Sequence, residues 1–289
     1  VLLASALSFD PCLSDIIASL DARATLAIAP RESLVSGLTT ILKELKVTRV
    51  LCTPTLWSLT LLHRFETATL KDDFPDLRRV ALGGEPIPRN LTQAWARSKR
   101  SQNDEQLDNG KPVATSCQLL ATYGVTEACV YQTCGEVFSS GVAEQGQNVG
   151  HALLGTGYQI CKEEIQGGKL VEVAEAGMPG EIVLFGDQVD AFTSYLNRPD
   201  LNGKFVAQKM SVEANEHKIR YHYRTGDRGM IRPEDGSLVV LGRIVGEEGM
   251  IKINGVRVEL GEIEAALVSE ENDGSSIVTG CLVTCTKDE

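Results

Sequence analysis

The chain has 289 residues, 43% apolar and 23% charged, enough to bury one large core or two ordinary ones, and its 27 glycines and 10 prolines are too few for a low-complexity chain. The formal net charge is −11 and the pI near 5.0. The one dense basic stretch, 97–100, runs straight into the acidic, polar stretch 104–108, so no basic stripe of the kind a nucleic-acid binder carries is present, and no apolar run reaches the length of a membrane span.

In chain order, residues 1–7 are apolar but lack an initiator Met and a basic flank, so they read as a buried strand rather than a secretion signal. Short apolar segments at 24–29 and 49–52 read as strands. Between them Leu34, Leu38, Ile41, Leu42 and Leu45 recur at helical spacing and predict a helix over 34–45. Residues 77–82 form another strand, ending at Gly83-Gly84. Residues 88–100 predict a helix with Asn90 as its candidate cap, and 119–122 a strand that runs into a glycine turn. This alternation argues for a parallel sheet covered by helices. After about Thr133 the character changes. Short strands at 158–161, 169–173, 180–185 and 237–241 lie between glycines, and Asp235-Gly236 marks a hairpin between 230–231 and 237–240. Helical character returns over 259–269. The expected organisation is an α/β part over 1–148, a β-rich part over 149–241, a hinge at 242–250 and the start of an α+β unit over 251–289. Both ends read as internal to a longer chain.

Eight cysteines, at 12, 52, 117, 129, 134, 161, 281 and 285, include no Cys-x-x-Cys pair and no metal-ligand spacing. They read as reduced, mostly buried small hydrophobes in a cytoplasmic protein.

The candidate chemistry lies in a series of short motifs. In Thr122-Tyr123-Gly124-Val125-Thr126-Glu127, Gly124 lets the backbone approach a ligand, Thr126 offers a hydroxyl to a phosphate and Glu127 offers a hard oxygen to Mg²⁺. Taken alone, the same residues are a strand-to-loop turn with a solvated Glu. In Tyr223-Arg224-Thr225-Gly226-Asp227 the carboxylate after a glycine turn can accept two ribose hydroxyls, or be an ordinary β-turn Asp. The stretch from Gly180 to Gly186, the turn Tyr195-Leu196-Asn197-Arg198-Pro199 and the stretch from Gly255 to Glu264 would separately be a strand, a turn and a helix start.

Together and in this order, the motifs resemble those of the adenylate-forming superfamily, especially the adenylation domains of nonribosomal peptide synthetases. Ser8-Phe9-Asp10 resembles the motif that opens the substrate pocket, and Gly83-Gly84-Glu85 the segment that lines the adenine. The stretch from Tyr123 to Gln132 is similar to fungal siderophore-type synthetases. The Phe9-Asp10-Pro11 start and Pro54-Thr55-Leu56-Trp57 are similar to β-alanine-activating enzymes. The resemblance implies a partial adenylate-forming fold: a parallel sheet with helices, a small antiparallel barrel-like unit and the start of a C-terminal subdomain. It implies an amino-acid substrate, ATP and Mg²⁺ as cofactors, and a phosphopantetheine thiol as acceptor on a carrier domain or coenzyme A. By motif position, Thr126 contacts phosphate, Glu127 binds Mg²⁺, Tyr123 stacks near adenine, Asp227 holds the ribose and Arg243 adds a ribose or phosphate contact. Asp10 matches the Asp that binds the substrate ammonium. Pro11, Ser14, Leu56, Val80, Leu82, Thr122, Val130 and Tyr131 match the pocket wall. None of these wall residues is charged, so a neutral or charge-masked side chain is favoured.

Three features depart from the family pattern. The upstream Gly/Ser/Thr-rich phosphate loop is absent, and the C-terminal lysine would lie beyond Glu289, so the fragment alone is expected to be inactive. At the hinge, Gly242-Arg243-Ile244 is followed by Val245 rather than Asp, and Lys252 comes three residues late. Either Glu248 takes the pivot role after an insertion, or the hinge is degenerate. The alternatives to an amino-acid adenylation domain are an acyl- or aryl-coenzyme A ligase, which would offer Asp10 no ammonium, and a non-catalytic nucleotide-binding remnant.

Overall fold

The structure, a computed structural model, describes residues 1–61, 74–96, 117–138, 147–162, 170–173, 175–212, 216–244, 250–253, 256–259 and 263. In chain order the first elements are β1 Leu2–Leu3, α1 Pro11–Asp21, β2 Ala27–Ile28, α2 Arg31–Glu44, β3 Arg49–Cys52, α3 Pro54–Ser58, β4 Arg79–Gly83, α4 Arg89–Trp95 and β5 Gln118–Tyr123. Short strands follow: β6 Thr133–Glu136, β7 Gln147–Asn148, β8 His151–Ala152 and β9 Thr156–Cys161. The remainder are β10 Gly180–Gly186, β11 Phe205–Val212, β12 Glu216–Ile231, β13 Leu238–Arg243, β14 Met250–Ile253 and β15 Val256–Glu259. The chain divides into two compact units, Val1–Gly242 and Arg243–Glu289.

The first sheet runs β2-β1-β3-β4-β5-β6-β8. It is parallel from β2 to β5 and antiparallel at β5–β6 and β6–β8. The parallel strands need crossovers, and the helices supply them. Leu34, Leu38 and Leu42, spaced four apart on α2, are all buried, whereas Leu45 at its C-terminal end is exposed. They pack with Leu2, Val50, Val80, Leu82 and Leu119 of the strands and with Trp57 and Trp95, whose rings stand 4.9 Å apart. The helix expected over 88–100 is described only as Arg89–Trp95. Its N-cap position is Pro88, and the Asn90 side chain accepts from the adjacent Leu91 N–H instead of capping the turn.

The second sheet runs β7-β13-β12-β10-β9, with β11 beside β12, and each of its recorded pairings is antiparallel. The hairpin expected at Asp235-Gly236 is formed. Arg232 N–H donates to Ser237 O, and Asp235 Oδ1 accepts from the Ser237 N–H and hydroxyl. In the second unit β14 and β15 form an antiparallel hairpin pairing Lys252 with Arg257. Val245 and Glu248 lie outside the described residues.

The described cysteines are free. Cys12, Cys52, Cys117 and Cys161 are buried as expected, but Cys129 is exposed and Cys134 partly so. No helix among the described residues is long and apolar enough to cross a membrane.

Between β7 and β8 the chain passes from the second sheet to the first at Gly150, which has φ +79°. A Cβ there would lie 2.1 Å from Cys134 O and 2.4 Å from Gly135 Cα. The crossing is therefore closed to any side chain on both steric and backbone grounds. Gly150→Ala in the complete domain is expected to destabilise it by about 2 kcal/mol or more. Gly203→Ala, where nothing lies within 4 Å of the added carbon, is the control and should be near neutral. Equal denaturant midpoints for the two variants would refute the account.

Asp15 lies on the inward face of α1 with Cys12 and Ser19. It is 5% exposed, and burial pushes its carboxyl up to about 7. The native carboxyl holds its proton to a higher pH than the unfolded one, so the group is neutral in its effect below about pH 4 and increasingly destabilising as pH rises through 7. Asp15→Asn should stabilise the domain at pH 8 by about 1–3 kcal/mol relative to its effect at pH 4. Thermal melts across that range would show no such pH dependence if Asp15 were ionised throughout.

Candidate active site

The site is built where the C-terminal ends of β4 and β5 meet α1, α3 and the turn of β12. On β4, Val80 and Leu82 are fully buried in the core. Gly83 follows, and a Cβ on it would meet Thr122 Oγ1 at 2.3 Å and Tyr131 Cε1 at 3.4 Å, so these three residues converge. Gly84, at φ +83°, turns the chain. Glu85 Oε2 accepts from the Thr55 hydroxyl at 2.6 Å and from the Thr55 N–H at 3.1 Å, which fixes the first turn of α3 and with it Leu56. The Glu85 carboxylate thus braces α3 in this structure.

β5 carries Thr122 and ends at Tyr123. The next residues double back tightly, since a Cβ on Gly124 would lie 1.9 Å from Val130 O. Thr126–Ala128 form one turn of 3₁₀ helix, and Cys129 (φ +59°) and Val130 (φ +82°) then take left-handed conformations. Such conformations cost of order 1–3 kcal/mol each for residues with side chains. The offsetting interactions come from Gln132, which is 1% exposed. Its Oε1 accepts from Val125 N–H at 3.0 Å, its Nε2 donates to Ala128 O at 2.7 Å and its N–H donates to Tyr123 O at 2.9 Å. One side chain thus closes the loop that carries Thr126 and Glu127.

Asp10 stands at the N-cap position of α1 but makes no capping hydrogen bond. Its Oδ1 instead accepts from Thr126 Oγ1 at 3.1 Å. Pro11 and Ser14 follow on α1, Pro11 buried and Ser14 half-buried. Burial raises the Tyr131 phenol, and the nearby Asp15 and Asp10 carboxylates push it further in the same direction.

Asp227 is placed by a different device. Glu181 on β10 is 1% exposed and takes Arg224 through Nε (2.8 Å) and Nη2 (2.6 Å), while its other oxygen accepts from Gly226 N–H at 3.1 Å. The Thr225 hydroxyl donates to Ile182 O and accepts from Asp227 N–H. Gly226, at φ +72°, makes the turn, beside an irregularity in the β10–β12 register. Asp227 Oδ2 then accepts from Tyr123 Oη at 2.7 Å.

The structure therefore joins Asp10 to Thr126, Tyr123 to Asp227, and Gly83 to Thr122 and Tyr131. Arg243 ends β13 and belongs to the second compact unit. Gln132, Glu181, Tyr195 and Tyr223 lie inside recognised motifs, yet sequence reasoning assigned them no role. Their signal was a polar side chain in an otherwise apolar or strand-like stretch. Among the described residues no group of three or more His, Cys, Asp or Glu side chains forms a metal cage.

A family model described as AMP-binding enzyme matches residues 1–195. The chain is 31% identical over 284 residues to the ferrichrome siderophore peptide synthetase of Mycosarcoma maydis, covering 98% of this chain and 6% of that protein. It is 33% identical over 277 residues to the delta-poly-L-ornithine synthetase of Acinetobacter baumannii (strain AB307-0294), covering 94% and 17%. The Vibrio cholerae adenylation domain AlmE, solved with glycyl-adenosine-5'-phosphate, superposes with a TM-score of 0.68 at 27% identity over 92% of this chain and 44% of that one. PA1221, a nonribosomal peptide synthetase protein containing adenylation and PCP domains, shares the fold with a TM-score of 0.63 at 23% identity, covering 92% and 46%. The chain spans a small part of those synthetases and under half of those two solved chains. With the family match running from Val1 through Tyr195 and the adenylate-forming architecture on both sheets, the chain belongs to the AMP-binding enzyme family of adenylate-forming ligases.

Proposed function

We infer that the parent protein activates an amino acid as its aminoacyl-adenylate and passes it to a phosphopantetheine thiol, as one adenylation domain of a nonribosomal peptide synthetase-like enzyme in the cytoplasm. The observation that carries this reading is the 3.1 Å contact between Asp10 and Thr126. It brings an ammonium-binding carboxylate to the hydroxyl at the phosphate end of the loop. In this reading an amino acid held by Asp10 would present its carboxylate toward a nucleotide phosphate held by Thr126. That carboxylate oxygen attacks phosphorus, the bond to the bridging oxygen breaks and pyrophosphate leaves. In the second step the thiol sulfur attacks the acyl carbon, AMP leaves and the thiol proton is released.

In this reading Tyr123 and Asp227 flank the nucleoside, with Asp227 accepting from ribose hydroxyls and Gly83, Gly84 and Gly124 giving backbone approach. Thr126 donates to a phosphate oxygen. The carboxylate of Glu127 is the hard oxygen donor suited to Mg²⁺, which when bound supplies charge neutralisation at the phosphates. Val130 is the apolar wall residue with exposed surface, backed by Leu56, Val80 and Leu82 in the core, and an uncharged wall favours a neutral or charge-masked side chain.

Asp10 separates this reading from an acyl-coenzyme A ligase. Removing one partner of a partly desolvated ion pair typically costs on the order of 3–5 kcal/mol, about tenfold per 1.4 kcal/mol. In the complete domain, Asp10→Ala should therefore lower kcat/KM for the cognate amino acid at least about 100-fold, while a des-amino analogue loses far less. Pyrophosphate exchange with a substrate panel is the assay. A wild-type preference for des-amino acids would transfer the assignment to a coenzyme A ligase.

A further inference from the structure

Tyr195 and Tyr223 have no part in the reaction as described, yet both reach its loop. Tyr195 lies in the segment after β10, where its N–H donates to Asn202 Oδ1 at 2.9 Å and its ring packs 5.6 Å from Phe205. Phe205 in turn packs 4.9 Å from Tyr223, which lies on β12 opposite Leu184 of β10 and is 3% exposed. The two hydroxyls meet at 2.9 Å, and Tyr195 Oη donates to Glu127 Oε1 at 2.7 Å. Tyr223 also hydrogen-bonds the Glu127 side chain directly, so both phenols converge on that carboxylate.

We propose that Tyr195, itself oriented by Tyr223, is the positioning residue of Glu127: it holds one carboxylate oxygen so that the other is presented to the divalent cation accompanying ATP. The proposal rests on the reading of Glu127 as the metal-binding carboxylate. Its physical basis is that a carboxylate on one turn of 3₁₀ helix, half-buried, would otherwise sample several rotamers and lose that freedom on binding the cation. Hydrogen bonds to a ligating carboxylate typically carry 10–100-fold in metal affinity. The aromatic stack of Tyr195, Phe205 and Tyr223 anchors the donor in the second sheet, so the carboxylate is oriented by a rigid strand pair rather than by its own loop.

The test uses the complete adenylation domain and Mn²⁺ with a non-hydrolysable ATP analogue, following bound Mn²⁺ by electron spin resonance, alongside the Mg²⁺ dependence of pyrophosphate exchange. Tyr195→Phe keeps the ring stack and removes the hydroxyl. It should weaken Mn²⁺ binding about tenfold, with kcat largely recovered at saturating Mg²⁺. Tyr223→Phe should shift both in the same direction by a smaller factor. The double variant should bind Mn²⁺ more weakly than either single variant, since each phenol reaches the carboxylate. Unchanged Mn²⁺ binding in Tyr195→Phe, or a kcat loss that saturating metal does not restore, overturns the proposal. Should Tyr195→Phe fail to fold, Tyr223→Phe decides by the same criteria. Glu127→Gln separates the two levels. If it leaves Mn²⁺ binding intact, the metal assignment itself fails. If it abolishes binding while both tyrosine variants bind as wild type, only the positioning role fails.

Discussion

Gln132 is buried at a place where its amide must find partners or be costly, and its amide oxygen and nitrogen bond the backbone of the loop it follows. Those bonds, together with the Cys129 N–H donated to Thr126 O, offset the strain of the left-handed conformations at Cys129 and Val130. The same closure sets where Thr126 meets Asp10 and where Glu127 meets Tyr195. Ala128 completes the anchor. Its methyl is buried in a core shared with Ile160, Ile182 and Leu184 of the second sheet. A three-residue helical turn is thereby held from one side by a buried amide and from the other by a strand core.

Acidic residues around this loop divide into two kinds. Glu181 and Glu85 spend their charge on the protein itself: Glu181 on Arg224 and Gly226, Glu85 on the first turn of α3. Asp10, Glu127 and Asp227 each accept from a hydroxyl, of Thr126, Tyr195 and Tyr123 respectively. Neutral donors of this sort are exchangeable for stronger ones, whereas a buried guanidinium is not.

Much of the fold was legible because local pattern and burial agree along the α/β part. Residues 49–52 alternate as β3 requires, and Leu34, Leu38 and Leu42 trace the inner face of α2. Ends were less legible. Leu45 continues the helical spacing but falls at the end of α2, where the chain turns outward, and the stretch after Asn90 is described as helix only to Trp95. The order of the motifs pointed to the family, but the pairings within the site were invisible. Asp10 and Thr126 are 116 positions apart, Tyr123 and Asp227 are 104 apart, and no periodicity relates them. Gln132 and Glu181 were missed for a related reason: a buried polar residue looks like an exposed one until its partners are known.

The crossing at Gly150 has a consequence for recombining such enzymes. Strand β7 belongs to the second sheet, β8 to the first and β9 to the second again. A chimera spliced between β7 and β8 would give one parent β7 and the other β8, leaving each hybrid sheet with an edge strand of foreign sequence. The backbones interlock at Gly135 and Gly150 with no room for compensation. Exchange points that respect the architecture lie before β6 or after β9, so that the whole β6-to-β9 stretch travels as one cassette. Specificity transplants that move α1 through β5 but keep the recipient's β6 to β9 would have to match at the β5–β6 pairing, where Thr122 and Tyr123 oppose Cys134 and Thr133.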